Sequence, residues 1–264
     1  EKFLLYGCGN MAGAMLAGWI RAGIDANRFF IIDPFAKNLP AGTHHLGRDK
    51  SGGTVEKYAY VLLGIKPQML AQLAPEIETS LTPDATVISI LAGSRVESLR
   101  KYFPGRTIAR LMPNLAAAIG KSPMALHAPD LDKQSRNELD RYFAPLGETL
   151  WIEIEEQMDA VTALAGSGPA FVYRFIAALA EAGVELGLPA EQADRLARSM
   201  VEGAATLAAS STENANDLAA RVTSPGGTTA AGLAILDSED ALRKLVQHTL
   251  AAATQRGVEL SKEE

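Results

Sequence analysis

The sequence predicts an α/β protein, with a doubly wound parallel sheet in its N-terminal half and only helices in its C-terminal half. Short apolar runs alternate with amphipathic stretches as far as about residue 155, which is the pattern of βαβ units. Beyond that point the strand signals stop, and long helical patterns with broad apolar faces follow. We therefore place one domain at 1–155 and a second at 156–264.

Apolar runs bounded by turn residues are the candidate strands. Five strong runs lie at 3–6, 29–32, 60–65, 86–91 and 107–111, and two weaker ones lie at 124–127 and 149–154. Amphipathic stretches such as NMAGAMLAGWIRAG separate several of them. Residues 34–53 contain two Pro, four Gly and no clear helical face. We expect an abbreviated loop there, where a second crossover helix would normally lie.

The C-terminal half consists of strong helical patterns. In SGPAFVYRFIAALAEAGVELGLP, apolar residues recur at steps of three or four with further apolar residues beside them, so the helix has a broad apolar face. PAEQADRLARSMVEGAATLAA and SEDALRKLVQHTLAAATQRGVEL are further helices that begin with acidic residues. Because such long apolar faces need a partner, we predict a helical dimerisation domain.

Composition excludes several functional classes. Thirty-one acidic side chains against 25 Lys and Arg give a net charge of −6, which argues against a nucleic-acid binder. The single Cys8 allows neither an intramolecular disulfide nor a cysteine zinc site, and the four histidines show no metal-ligand spacing. The most apolar helix carries Arg174 and Glu181, so we expect no membrane span. No leader pattern precedes Phe3, and we expect a cytoplasmic protein without a metal.

A glycine-rich turn follows the first predicted strand. In YGCGNMAGAML, residues 6–16, Gly7, Gly9 and Ala12 lie between an apolar run and a helix. Alone, this GxGxxA pattern also fits a strand-to-helix turn without a ligand. Its context favours a Rossmann-like dinucleotide site, in which Gly7 permits the turn, Gly9 lets backbone approach a pyrophosphate and Ala12 allows close helix–strand packing.

Asp33 ends the second predicted strand, 21 residues after Ala12. An acidic residue at this spacing usually accepts hydrogen bonds from the adenosine ribose hydroxyls. Its charge repels a 2′-phosphate, which favours NADH over NADPH. Lys37 and Arg48 follow in the next loop, and either cation could reverse that preference.

Two later strand ends are expected at the same edge of the sheet, where doubly wound folds bind their ligands. By position alone, the lysine among these residues fits a solvated turn equally well. The residues are Ile65, Lys66 and Pro67 after one strand, and Leu91, Ala92 and Gly93 after the next.

A second glycine cluster, VTSPGGTTAAGLAIL at 222–236, lies in the helical half. A loop before a helix explains part of it, with Ser224 as the cap and two glycines turning the backbone. The free N–H groups and hydroxyls at the helix start also suit a carboxylate. With a nicotinamide site, this predicts a reductase for a small anionic substrate. LAGSGPAFVY at 164–173 could add a pocket wall or form only a glycine-lined helix crossing.

At these residues the chain resembles the pyrroline-5-carboxylate reductase family of proline biosynthesis. The matching motifs, in order and at the family's spacing, are GCGNMAGAM, IKPQ, LAG, MPN, ALAGSGPAFVY, GVELGLP and VTSPGGTTAAGL. The resemblance implies reduction of Δ1-pyrroline-5-carboxylate to L-proline with NADPH or NADH. It also implies a homodimer or larger homo-oligomer, up to a decamer, whose active sites lie between the cofactor of one subunit and the helical domain of its neighbour.

The resemblance also implies roles for individual residues. On the cofactor side, the implied residues are Gly7, Cys8, Gly9, Asn10, Met11 and Ala12 at the pyrophosphate, Asp33 and Pro34 at the adenosine ribose, Ile65, Lys66, Pro67, Leu91, Ala92 and Gly93 at the nicotinamide, Asn114 at the pocket rim and Arg221 near the nicotinamide ribose. On the substrate side they are Ser224, Gly226, Gly227 and Thr228 at the carboxylate, Thr229 at the ring nitrogen and Glu155 nearby.

Departures from the family pattern bear on the cofactor more than on the reaction. The family often reads NTP after MP, whereas residues 114–116 here read NLA. Asp33 and Pro34 stand where Asn-Arg often serves a phosphorylated cofactor, and Arg221 stands where Asn is common. Residues 35–53 match poorly.

The implied reaction places modest demands on the protein. A protonated cyclic imine is already electrophilic, so the main task is orientation and desolvation, with Thr229 fixing the ring nitrogen and relaying a proton from water. Two alternatives stay open: a related Rossmann reductase of another cyclic imine or a 2-oxo acid, and a non-catalytic NAD(H)-binding regulator. Retention of both Thr228 and Thr229 speaks against the regulator.

Overall fold

The computed structural model describes residues 2–46 and 57–261, and these contain one mixed sheet. Its strands are β1 Phe3–Tyr6, β2 Phe29–Ile32, β3 His44–His45, β4 Tyr58–Leu63, β5 Leu81–Ser89, β6 Thr107–Met112, β7 Ser122–His127 and β8 Gly147–Trp151. Their order across the sheet is β3-β2-β1-β4-β5-β6-β7-β8. Neighbours run parallel except for β6 and β7, which are antiparallel.

Each α-helix before β8 lies between two strands, and among the described residues only helices follow β8. The α-helices are α1 Asn10–Arg21, α2 Leu70–Thr79, α3 Val96–Tyr102, α4 Lys133–Phe143, α5 Gln157–Val161, α6 Gly168–Glu185, α7 Ala190–Ser210, α8 Ala215–Arg221, α9 Thr228–Leu236 and α10 Ala241–Leu260. A π-helical turn, Thr162–Gly166, follows α5 directly. This order confirms the predicted fold class.

Both faces of the sheet are covered by helices. All four residues of β1 are buried, and their side chains alternate between two cores. Phe3 packs in one core with Trp19 of α1, whereas Leu4 packs in the other with Ile77 of α2. Burial on both faces is the reason that the central strands appear in the sequence as continuous apolar runs.

The abbreviated loop predicted at 34–53 differs from expectation in one respect. It contains a two-residue strand, β3, that the sequence did not predict, and residues 47–53 of it lie outside the described part of the chain. The His44 ring stacks on Phe30 at 4.4 Å between centroids, and the Leu46 N–H donates to the Ile31 carbonyl at 2.8 Å. Two exposed histidines carry no hydrophobic periodicity, so pattern alone could not show this strand.

β5 begins at Leu81, well before the predicted start at residue 86. Its first half contains Pro83 and Asp84, which are rare inside strands and lack an apolar alternation. Pairing with β4 shifts register between Tyr58 and Tyr60, so this stretch is irregular. Irregular strand ends of this kind are the least predictable part of a sheet.

Packing divides the chain into two units. Unit 1 comprises 1–166 and 253–264, and unit 2 comprises 167–252. In unit 2 the buried apolar side chains are Ala193 and Ala197, while large side chains such as Tyr173 and Ile235 are mostly exposed. The segment Gln157–Glu185 is long and apolar enough to cross a membrane, judged by length and composition alone. A single copy of the chain therefore leaves extended apolar helix faces uncovered.

Candidate functional site

The strand order reverses between β1 and β4, which is where doubly wound sheets form their ligand crevice. Gly7 and Gly64 follow these two strands directly. The Gly7 N–H donates to the Ile32 carbonyl at 2.9 Å, and the Gly64 N–H donates to the Tyr6 carbonyl at 2.8 Å. The glycine motif and the fourth strand thus end side by side at the carboxyl edge.

The first position of the motif requires glycine for two reasons: its backbone conformation and the lack of room for a side chain. Gly7 has φ +89°, and a Cβ there would lie 2.6 Å from the Gly64 carbonyl carbon. A Cβ on Gly64 would lie 2.4 Å from the Gly7 oxygen and 2.9 Å from the Ala12 Cβ. A larger side chain at any of these three positions would force apart the glycine turn, the end of β4 and the start of α1.

The N-terminus of α1 is open towards this edge. Gly9 is the N-cap residue of α1, and no side chain caps the helix there. The first turn of the helix contains no acidic residue. A Cβ built on Gly9 meets no described atom within 4 Å. Asn10 is exposed and Met11 is half-buried. Free N–H groups at the positive end of a helix, with room beside them, fit a pyrophosphate.

Asp33 is tied to the glycine turn. Its Oδ2 accepts a hydrogen bond from the Cys8 N–H at 2.7 Å, and its Oδ1 accepts one from the Phe35 N–H at 2.8 Å. A carboxylate has about four acceptor positions, so both oxygens can still accept from ribose hydroxyls. Pro34 and Lys37 are exposed. Arg48, the other cation expected to influence cofactor choice, lies outside the described residues.

Cys8 lies in the glycine turn, and its thiol is partly buried. Burial raises the pKa of this thiol to about 11, and the negative charge of Asp33 adds to the effect. Because the thiolate is the reactive form, this shift disfavours a nucleophilic role for Cys8.

The two later strand ends lie side by side at the carboxyl edge of the sheet. Pro67 and Ala92 line one surface pocket of about 320 Å³ together with Leu260 at the end of α10. Gly93 has φ +84°, and a Cβ there would lie 3.2 Å from the Leu260 carbonyl carbon. Of the other expected residues here, Lys66 is exposed, Leu91 is buried and Ile65 is half-buried.

Glu155 has structural partners that the sequence did not reveal. Its Oε1 accepts from the Val96 N–H at 2.7 Å and from Arg110 Nη1 at 2.9 Å. It therefore caps α3 and neutralises an arginine whose side chain is only 4% exposed. Arg110 stands inside the apolar strand β6, and a buried arginine of this kind signals a nearby acid.

Asn114 connects the end of β6 to the π-helical turn. Its Oδ1 accepts from the Ala116 N–H at 2.9 Å, and its Nδ2 donates to the Ala165 carbonyl at 3.0 Å. Asn114 as a whole is 6% exposed, and these two hydrogen bonds hold its side chain in place. Its part in cofactor binding stays a prediction.

The second glycine cluster forms the start of α9 in unit 2. Gly226 adopts φ +70°, and the Gly227 N–H donates to the Ser224 carbonyl at 3.0 Å. Gly227 is the N-cap residue, again without a capping side chain or an acid in the first turn. Thr228 and Thr229 are exposed. This geometry offers N–H groups and hydroxyls to a small anion.

Arg221, expected near the nicotinamide ribose, forms an ion pair with Glu213 in unit 2. The described residues contain no group of three or more His, Cys, Asp or Glu side chains that could hold a metal ion. Of the histidines, His127 is buried and bonded to the Ile152 carbonyl at 2.8 Å, and His45 lies 2.8 Å from the Asp33 carbonyl.

Comparison with known proteins identifies the family. Residues 155–260 match the family described as pyrroline-5-carboxylate reductase dimerisation, and residues 2–93 match NADP oxidoreductase, coenzyme F420-dependent. The pyrroline-5-carboxylate reductase of Staphylococcus epidermidis is 33% identical over 274 residues, covering 100% of this chain and 99% of that protein. The chain belongs to the pyrroline-5-carboxylate reductase family.

Solved structures agree with this family. The pyrroline-5-carboxylate reductase of Coxiella burnetii superposes with a TM-score of 0.88 at 30% identity, covering 99% of this chain and 98% of that one. The Plasmodium falciparum enzyme, solved with NADP bound, gives 0.85 at 25% identity, with 98% of each chain covered. The predicted resemblance and the pairing of a NAD(P)-binding oxidoreductase fold with a helical dimerisation domain are confirmed.

Glu155→Ala is expected to destabilise unit 1. The substitution leaves the buried Arg110 guanidinium without its acid, which costs about 3 kcal/mol of the free energy of unfolding. The matched control is Glu153→Ala, because Glu153 pairs with Arg136 at 2.5 Å on the surface. Thermal unfolding followed by circular dichroism measures both variants. Equal melting temperatures for the two would contradict the structural role of Glu155.

Proposed function

We propose that this chain catalyses the NAD(P)H-dependent reduction of Δ1-pyrroline-5-carboxylate to L-proline. The full-length likeness to reductases of this family carries the proposal. It is supported by the two uncapped helix starts, at α1 and α9, which present N–H groups to anions at the positions where the family motifs occur.

Unit 1 supplies the cofactor half of the proposed site. We assign the pyrophosphate to the turn from Gly7 to Ala12 and the adenosine ribose to Asp33 and Pro34. We assign the nicotinamide side to the ends of β4 and β5, with Asn114 and Arg221 completing the cofactor set. When bound, the dinucleotide supplies the hydride that adds to C5 of the cyclic imine.

Unit 2 supplies the substrate half. Ser224, Gly226, Gly227 and Thr228 are proposed to hold the substrate carboxylate, because a negative charge is stabilised at the start of α9. The Thr229 hydroxyl hydrogen-bonds the ring nitrogen and relays a proton from water, since its own acidity is too weak to supply one. We also place Glu155 near the substrate. Its Oε1 accepts a hydrogen bond from Arg110.

The proposal extends to assembly. We propose a homodimer or a larger homo-oligomer, as large as a decamer, in which the helical parts of neighbouring subunits interlock and each active site combines residues of two subunits. The uncovered apolar faces of unit 2 support this. A cofactor domain at 1–155, a dimerisation and substrate domain at 156–264 and a cytoplasmic location belong to the same proposal.

Steady-state oxidation of NADH and NADPH, compared side by side, tests the function. Pyrroline-5-carboxylate is expected to give a higher kcat/KM than its six-membered homologue or ketopantoate. A higher value for either competitor would favour the related reductases. Stoichiometric NADH binding without oxidation by any acceptor would favour the regulator.

Thr229→Ala is expected to lower kcat by roughly 10- to 100-fold, the usual scale for a positioned proton-transfer group. The Kd for NADH, measured by fluorescence titration, is expected to stay unchanged because the hydroxyl acts on the substrate. Thr229→Ser, which keeps the hydroxyl, is the matched control and is expected to retain most activity. An unchanged kcat in the alanine variant would remove Thr229 from the mechanism.

Asp33→Asn is expected to shift cofactor preference from NADH towards NADPH. The amide oxygen can still accept from the Cys8 N–H, although the Phe35 N–H loses its acceptor, and the side chain no longer repels a 2′-phosphate. We expect the NADPH-to-NADH ratio of kcat/KM to rise about 5- to 30-fold, which corresponds to roughly 1–2 kcal/mol.

The control for this variant is Asp25→Asn, which removes the same charge from a similar turn, where Asp25 accepts from the Asn27 N–H at 3.0 Å. Its ratio is expected to match that of the wild type. A ratio in Asp33→Asn that stays within twofold of wild type would show that Asp33 does not select the cofactor.

A further inference from the structure

Phe35 is the most exposed large apolar side chain among the described residues of unit 1, at 81%. It lies two residues beyond Asp33, on the turn that follows β2. An exposed aromatic ring at one edge of a binding crevice offers a large flat apolar face to a ligand.

The turn that carries this ring is ordered by its own hydrogen bonds. The Phe35 N–H donates to Asp33 Oδ1 at 2.8 Å, and the Ala36 N–H donates to the Asp33 carbonyl at 3.4 Å. The His45 ring lies 2.8 Å from that same carbonyl oxygen, and Pro34 restricts the backbone between them. The ring therefore projects from a fixed backbone.

The turn is also joined to the dinucleotide crevice. The second oxygen of Asp33 accepts from the Cys8 N–H inside the glycine motif at 2.7 Å. One carboxylate thus connects the pyrophosphate turn to the backbone of Phe35. In doubly wound folds the acid at the end of the second strand marks the adenosine ribose, so the Phe35 ring lies on the adenosine side.

We propose that the Phe35 ring is the surface on which the adenine of the dinucleotide stacks. This rests on the dinucleotide-binding part of the proposed function. A flat neutral ring without a hydrogen-bonding group fits the face of a base, and stacking on an aromatic side chain is a substantial source of affinity for a base. Stacking also removes apolar surface of both the Phe35 ring and the adenine from water, which favours binding.

Calorimetric titration of the oligomeric protein with ADP-ribose tests this proposal without requiring turnover. Phe35→Ala retains the N–H that Asp33 accepts, so it removes only the ring. The Kd for ADP-ribose is expected to rise about 5- to 100-fold in this variant. Phe35→Tyr, which keeps an aromatic face, is expected to stay within about threefold of wild type.

The matched control is Leu150→Ala on β8, at the opposite edge of the sheet, where another exposed apolar side chain is removed. Its Kd is expected to equal the wild-type value. In NADH oxidation, Phe35→Ala is expected to raise KM for NADH while leaving kcat at saturating NADH unchanged, because the adenine end is remote from the reacting carbon.

A wild-type Kd for ADP-ribose in Phe35→Ala would overturn the proposal. So would an altered oligomeric state with an unchanged Kd, since the ring would then contact a second copy of the chain. If wild-type protein reduced no acceptor but lost ADP-ribose binding on removal of the ring, the proposed reaction would fail and the adenine contact would stand.

Discussion

The close approach of the Gly7 and Gly64 backbones is the constraint on which the dinucleotide half of the molecule depends. β1 and β4 are adjacent parallel strands, and the chain segments that follow them meet here within a side chain's width of each other. Ala12 closes the same contact from α1. Only because all three positions are small does α1 begin directly at the sheet edge, with its unpaired N–H groups facing the crevice.

The parts of the fold that local physics determines could be predicted from the sequence. β1 and β2 have the predicted bounds, because strands buried on both faces appear as continuous apolar runs. β3 and the first half of β5 could not be predicted in the same way. β3 consists of two exposed histidines, and the first half of β5 contains Thr-Pro-Asp, which lies between the paired residues Leu81 and Thr86. Neither stretch has an apolar alternation that would mark a strand.

The same distinction between local and long-range information applies to the candidate site. The glycine turn and the position of Asp33 could be predicted because both depend on short sequence motifs at a fixed spacing. The contacts of Glu155 and Asn114 could not, because their partners Arg110 and Ala165 lie 45 and 51 positions away in the chain. No local pattern records such pairs. A buried arginine in an apolar strand was the one available sign of an acidic partner.

Unit 1 is assembled from two separate stretches of chain, with the helical unit inserted between them. The second junction, between residues 252 and 253, falls inside α10, whose last turns place Gly257 beside Asp159 and Leu260 beside Gly93. A chimera of two homologues that switched parents once, near residue 155, would therefore bring its final helical turns from the wrong parent into the nucleotide-binding half. Clean exchange of the helical unit requires two crossover points.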